Sequence, residues 1–277
     1  MINPHASHPT SPTALVRNLW QHRELIAQMT RREVVGRYRG SIMGLAWSLF
    51  NPILMLAVYT FVFSVVFKAK WGGVAEQSQT NFAIVLFVGM IVHGLFAEMV
   101  NRAPKLILSN VNYVKKVVFP LEILPAISLG AALFHFLISL SVLLVAILLI
   151  NGGLMWTAVF FPLIIIPLLL ALLGAGWILA SIGVFVRDVG QITGMITTVL
   201  LFLSPVFYPI SALPERLQFW IMLNPLTFMI EQSRAVIIFG KQPDWIGLGI
   251  YAAISLIVAW LGFWWFQKTR KGFADVL

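Results

Sequence analysis

Cysteine is absent from the 277-residue sequence, which excludes a disulfide framework and thiolate chemistry. Charged side chains make up only 10% of the chain, against about 25% in a soluble domain, and a water-facing surface cannot be built from so few. Sixty per cent of the residues are hydrophobic, so the composition is that of an integral membrane protein with one transmembrane domain. The phosphate loop GxxxxGKS/T is missing, since Gly240 and Lys241 lack the earlier glycine at the required spacing. HExxH and GxSxG are missing too, and Asp, Glu and His do not cluster, which argues against hydrolytic or metal chemistry. No internal repeat is evident. The segment 1–12 has no apolar run of the kind a cleavable signal carries and reads as a disordered lead.

What is present is a series of long apolar runs separated by short basic segments. Arginines stand at 31, 32, 37 and 39, and from Ile42 to Phe67 there is no charged side chain, enough to cross a bilayer core of about 30 Å as a helix. Residues 13–35 have Leu15, Leu19, Ile26 and Met29 on one helical face and Arg17, Gln21, Glu24, Gln28 and Arg31 opposite. That pattern predicts an amphipathic helix in the inner membrane interface, with a short cytoplasmic helix packed on the bundle as the alternative. Spans are expected at about 43–67, 82–100, 121–150, 157–183, 192–209 and 245–266, within a transmembrane domain of residues 36–270 and ahead of a tail at 271–277. Pro52 is expected to bend or break the first span, and Pro205 and Pro209 to end the fifth. Gly174 and Gly176 would admit a neighbouring helix. Residues 210–244 mix charge with apolar residues around Pro214 and Pro225 and fit short helices dipping into the outer half of the membrane.

Six spans with both termini inside place fourteen of the 19 Lys and Arg residues in cytoplasmic segments, leaving Lys68, Lys70, Arg216, Arg234 and Lys241 outside. The net charge of +9 therefore reports topology and contact with anionic membrane lipids, not a nucleic-acid partner.

Ion coupling finds little support: Glu98 and Glu122 sit near span ends, and His93 and His135, the only deeper titratable groups, read as packing residues or as proton carriers. Aromatic side chains offer another possibility. Tyr59, Phe63 and Phe67 share one face of the first span, Trp47 lies on another, and Phe202, Phe207 and Tyr208 flank the end of the fifth. They are either lipid-facing anchors or a lining on which sugar rings slide. With no nucleotide motif in the chain, active transport would need a separate ATPase pushing on the cytoplasmic turns at 13–33, 101–116 and 187–188. The candidates for that contact are Arg102, Lys105, Asn110, Asn112, Tyr113, Lys115, Lys116, Arg187 and Asp188.

Several ordered blocks carry a family likeness: RREVVGRYRGSIMGLAWSLFNP at 31–52, YTFVFSVVF at 59–67, SNVNYVKKVVFPLEILP at 109–125, VFVRDVGQI at 184–192, LSPVFYP at 203–209, NPLTFMIEQSR at 224–234 and the terminal KGFADVL. The chain resembles the membrane subunit of bacterial ABC-type polysaccharide exporters, particularly O-antigen permeases, with relatives that export teichoic acid and capsule. The resemblance implies an all-α integral membrane fold of six transmembrane helices with cytoplasmic termini, an N-terminal interfacial helix and outer re-entrant helices. It also implies a homodimer in the bacterial cytoplasmic membrane. Two copies of a nucleotide-binding subunit would hold the ATP and Mg2+ that this chain does not bind. The substrate it implies is a glycan on a polyprenyl diphosphate. Its head group would meet Arg37, Tyr38 and Arg39, which otherwise serve as topology anchors. A small-lipid or drug exporter and an ion-coupled secondary transporter remain the alternatives.

Overall fold

Prolines and small polar caps place the helix starts. The computed structural model describes residues 9–68, 71, 79–115 and 119–277, with the side chains of 79–81 and 115 excepted. Ser11 accepts from the backbone N–H of Ala14 at 3.1 Å ahead of α1 (Pro12–Gln21), so the expected lead is already helical at its end. His22 interrupts the amphipathic segment: its ring Nδ1 and its backbone N–H both meet the Asn18 carbonyl, and α2 (Arg23–Arg37) starts again beyond it. The expected single helix is thus two.

The first span is α3 (Ala46–Tyr59), continued as a π-helix over Thr60–Val66. Pro52 does not break it; its ring is buried and the helix runs through. Then come α4 (Gln79–Arg102), a 3-10 turn at Ala103–Lys105, and α5 (Val111–Lys115). The third span starts with a 3-10 turn at Leu121–Ile123 and Pro125 in the first turn of α6 (Leu124–Asn151), which Gly152 closes in the left-handed region at φ 73°. The fourth span is α7 (Phe161–Phe185), preceded by a 3-10 turn at Trp156–Phe160.

The fifth span differs from the expected 192–209. Helix α8 (Val189–Leu203) has 15 residues, about 22 Å at 1.5 Å per residue, and the backbone turns extended at Ser204. Pro205 offers no N–H to continue the ladder and disfavours helical backbone before it. Two short helices follow, α9 (Glu215–Met222) and α10 (Pro225–Ile237), the latter capped by the Asn224 side chain. Asp244 caps α11 (Trp245–Thr269), and a 3-10 turn leads to α12 (Phe273–Val276).

Among the described residues five helical segments are long and apolar enough to cross a membrane. The protein is an all-α, multi-pass membrane protein. Helix α4 is its axis, buried along most of its length by α6, α7, α8 and α10. Helices α7 and α11 pack along each other because Gly174 faces the backbone of Val258 and Ala259, and Gly262 faces Gly174, so no Cβ intervenes at either crossing. Gly176 gives room to Met99, and Gly183 to the backbone of Pro104. Helix α2 lies across α6, with Thr30 Oγ1 donating to the Ile127 carbonyl at 3.4 Å and seated over Gly130. That is packing on the bundle by a helix whose outer face stays exposed. The tail is docked: Phe273 is fully buried between Phe185 and Phe266.

By contrast the first span and α8 carry long exposed apolar rows, among them Leu49, Ile53 and Met55 on α3, Phe61 on its π-helical continuation, and Met195, Val199 and Phe202 on α8.

Candidate functional site

The end of α2 brings Arg37 and Tyr38 against α4 and α6. Arg37 donates to Glu98 at 2.6 Å, Arg102 donates to the same carboxylate at 3.3 Å, and Arg102 also pairs with Glu33. His135 Nδ1 lies 3.0 and 3.1 Å from the two Glu98 oxygens and 2.9 Å from Arg37 Nη1, and the Tyr38 hydroxyl lies 3.2 Å from its Nε2. Burial pushes the Tyr38 phenol above its ordinary value, with Arg37 opposing and Glu98 adding to the rise. Glu98, near the end of its span, is thus held by ion pairs inside the protein, and His135 joins that network and does not pack as an isolated core residue. His93 does pack as a satisfied residue, its Nε2 3.0 Å from the Thr197 carbonyl.

This network floors a cavity of about 410 Å³ that rises between α3, α4 and α6 past Asn51, Met55 and Ile91 to Tyr59. Tyr59 is the first ring of an aromatic series. Its centroid lies 6.5 Å from Phe63, which stands 5.9 Å from Phe67 and stacks on Phe82 at 5.6 Å and on Phe207 at 6.1 Å. Phe207 stacks in turn on Phe202 at 5.6 Å, and Tyr208 donates to the Phe202 carbonyl at 2.8 Å. The aromatic residues of the first and fifth spans, read separately in the sequence, thus meet at the π-helical end of the first. Trp47 does not join them; it packs edge-on against Phe50 and donates to Ser41. Arg39 is exposed beside Tyr38.

A second cavity of about 550 Å³ opens under α2, lined by Arg32, Lys105, Asn110 and Tyr113 among others. Lys105 and Asn112 are exposed, Asn110 donates to the Leu106 carbonyl, and Tyr113 stacks on Phe119 at 4.4 Å. The Lys115 side chain and Lys116 lie outside the described residues. Arg187 and Asp188 are exposed in the break between α7 and α8. These segments form the end of the bundle that also holds Arg270, which donates to Glu122 at 2.5 Å, while Asn18 donates to the other Glu122 oxygen at 2.7 Å.

Sequence reasoning counted Arg234 among the outside cations, in a segment that fits short helices dipping into the outer half of the membrane, and did not foresee that its side chain is wholly buried. The signal was available: Leu226, Ile230 and Arg234 step by four along α10, so the arginine sits on that helix's apolar stripe. A cation on such a stripe is held by specific acceptors.

A multi-pass helical bundle with a basic, ion-paired mouth, an internal cavity and an aromatic series leading away from it has the build of a membrane permease. Among the described residues no group of three or more His, Asp and Glu is placed to hold a metal. The profile of the ABC-2 type transporter family matches residues 24–238, and the chain belongs to that family. It is 31% identical over 263 residues to the O-antigen export system permease protein RfbA of Myxococcus xanthus, covering 94% of this chain and 98% of that one. A Klebsiella pneumoniae RfbA is 26% identical over 257 residues (92% and 95% covered), and the polysialic acid transport protein KpsM of Escherichia coli is 22% identical over 236 residues (83% and 88% covered). The chain is an ABC-2 type membrane permease related to these export systems, and that family identity implies a transport subunit.

Proposed function

We propose that this chain is the transmembrane subunit of an ATP-driven exporter that moves a polyprenyl-diphosphate-linked polysaccharide, of the O-antigen type, across the bacterial inner membrane. The observation that carries the reading is the continuous line from Arg37 and Tyr38 through the cavity to Tyr59 and on to the Phe63–Phe207 stack. Its lower end has cations for a diphosphate, and at its upper end Phe67 and Phe202 are exposed rings on which sugars stack without fixed hydrogen bonds.

Head-group docking is an exchange. Arg37 is half-exposed and paired with Glu98; a diphosphate is a stronger acceptor than a single carboxylate and takes Arg37 over, leaving Glu98 to Arg102 and His135. Arg39, exposed beside it, adds the second cation. A cavity of about 410 Å³ within one protomer does not hold a sugar polymer, so the polymer route lies where α3 and α8 present their exposed apolar rows. A second copy of the chain covers those rows and completes the conduit. Helix α8 then serves as a short sixth crossing, with both termini inside and α9 and α10 re-entrant from the outer face. Two copies of a separate ATPase, holding ATP and Mg2+, press on residues 101–116, Arg187 and Asp188, and their closure shifts α3 and α8.

The test is movement of lipid-linked glycan across liposomes that contain this protein and its cognate ATPase, with a hydrolysis-dead ATPase as control. Glycan reaching the far side only with active ATPase supports the exporter. Stimulated hydrolysis with no glycan movement sinks it in favour of a small-lipid or drug exporter.

A further inference from the structure

The sequence puts an arginine on the apolar stripe of α10, and the fold buries it completely. A buried guanidinium is tolerated only where its donors are met, and Arg234 meets carbonyls from two other parts of the chain. Nε donates to Val85 of α4 at 3.0 Å, Nη2 to Val206 at 2.9 Å, and Nη1 to Pro205 and, at 3.0 Å, to Glu231. The indole of Trp71 covers the guanidinium with its centroid 4.3 Å from Cζ. Pro205 and Val206 lie beyond the end of α8, where no helical donor follows to satisfy them. The residue after them is Phe207, which stacks on both Phe63 and Phe202. Gly89 completes the fit: a Cβ there would stand 2.8 Å from Arg234 Nη2 and 3.3 Å from the Val206 Cα.

We infer that Arg234 is the positioning residue of the aromatic stack: it pins the Pro205–Val206 turn to α4 and thereby sets Phe207 against Phe63. The planar fork does this because one side chain reaches three carbonyls in fixed directions; a lysine ammonium keeps the charge but not the fork. The brace joins α10, the turn after α8 and α4, so the ring on the turn and the ring on the first span hold a fixed separation. Its consequence for export rests on the exporter reading above, whereas its geometry does not.

The chain has no native cysteine, so Phe63→Cys with Phe207→Cys introduces the only thiols of this chain, and the cross-link is read within it. The full-length protein, assembled with its ATPase in liposomes, is treated with a short bifunctional thiol reagent, and the cross-linking rate is compared with and without Arg234→Lys or Gly89→Ala. Both variants are expected to slow cross-linking about fivefold, the change that accompanies one lost carbonyl hydrogen bond, while ATPase co-purification is unchanged. Gly89→Ala keeps the arginine but crowds both its Nη2 and the Val206 backbone, so Arg234→Gln, which keeps a planar donor but not the three-carbonyl reach, decides the matter if the lysine variant does not assemble. Unchanged cross-linking in an assembled variant, or no cross-linking in the parent pair, overturns the inference. Slowed cross-linking in a protein that exports no glycan upholds the brace and removes the exporter reading alone.

Discussion

Arg37 and Glu98 form a 2.6 Å ion pair across 61 residues of sequence, joining the end of the N-terminal helices to the central helix of the bundle. If a diphosphate must take Arg37 from Glu98, the two residues have opposite effects on binding. Arg37→Gln is expected to weaken retention of a polyprenyl diphosphate by detergent-purified protein about tenfold, and Glu98→Gln to strengthen it a few-fold, as removal of a competing acceptor does. Equal retention in both variants would leave the arginine a topology anchor only.

The aromatic series is centred on one ring. Among the described residues Phe63 contacts four other rings, whereas Trp47 contacts that of Phe50 alone. Each ring pair is worth about 0.5–1.5 kcal/mol, so Phe63→Ala is expected to lower the glycan export rate roughly tenfold or more and Trp47→Ala by less than about twofold. Export assays in proteoliposomes at matched protein density rank the two.

Gly262 and Gly174 let α7 and α11 approach without side chains between them. Gly262→Ala places a methyl group against backbone that cannot swing aside, and overpacking of this kind costs about 1–3 kcal/mol. The variant is expected to unfold several degrees lower in detergent, whereas Gly249→Ala, which meets open space, leaves the midpoint within error.

Glu122 is buried, and Arg270 and Asn18 are its side-chain partners. Removing Arg270 strands the carboxylate, at a cost of up to about 3 kcal/mol for a pair this buried. Arg270→Met is expected to lose more stability than Arg270→Met combined with Glu122→Gln. A double-mutant cycle on thermal midpoints reads the difference.

Tyr38 is held protonated by burial. Because its folded value is raised, its neutral form is favoured throughout the neutral range, and its contribution is lost only as pH climbs past the ordinary tyrosine value of about 10. Tyr38→Phe is expected to change retention of the lipid diphosphate by the same factor at pH 6.5 and at pH 8.5.

The apolar runs of α6, α7 and α11 were readable because each is uninterrupted by charge and opens on proline or a polar cap, and they fall within a few residues of expectation. Hydropathy could not show that α8 stops at Leu203, since 203–209 stays apolar and only proline chemistry ends the ladder. Nor could it split the N-terminal helix at His22, where a side chain competes for a backbone carbonyl. At the site, Arg37 and the aromatic residues were legible as residue types near a span. Their partners were not, because Glu98, His135 and Phe207 lie 61, 98 and 144 residues from the groups they meet. The burial of Arg234 was hidden for a related reason: counting charges by loop treats every cation as solvated, and this one is bonded to the carbonyls of a neighbouring helix and turn.

The first span ends as a π-helix over Thr60–Val66, and that wider coil holds one residue more than an α-turn would use. Drawing that residue back into α geometry would rotate Phe63 and Phe67 about the helix axis by up to about a quarter of a turn, while the rod stays continuous and its ends barely move. The wider coil therefore lies where the rings are, and it sets the face of the span on which Phe63 and Phe67 stand.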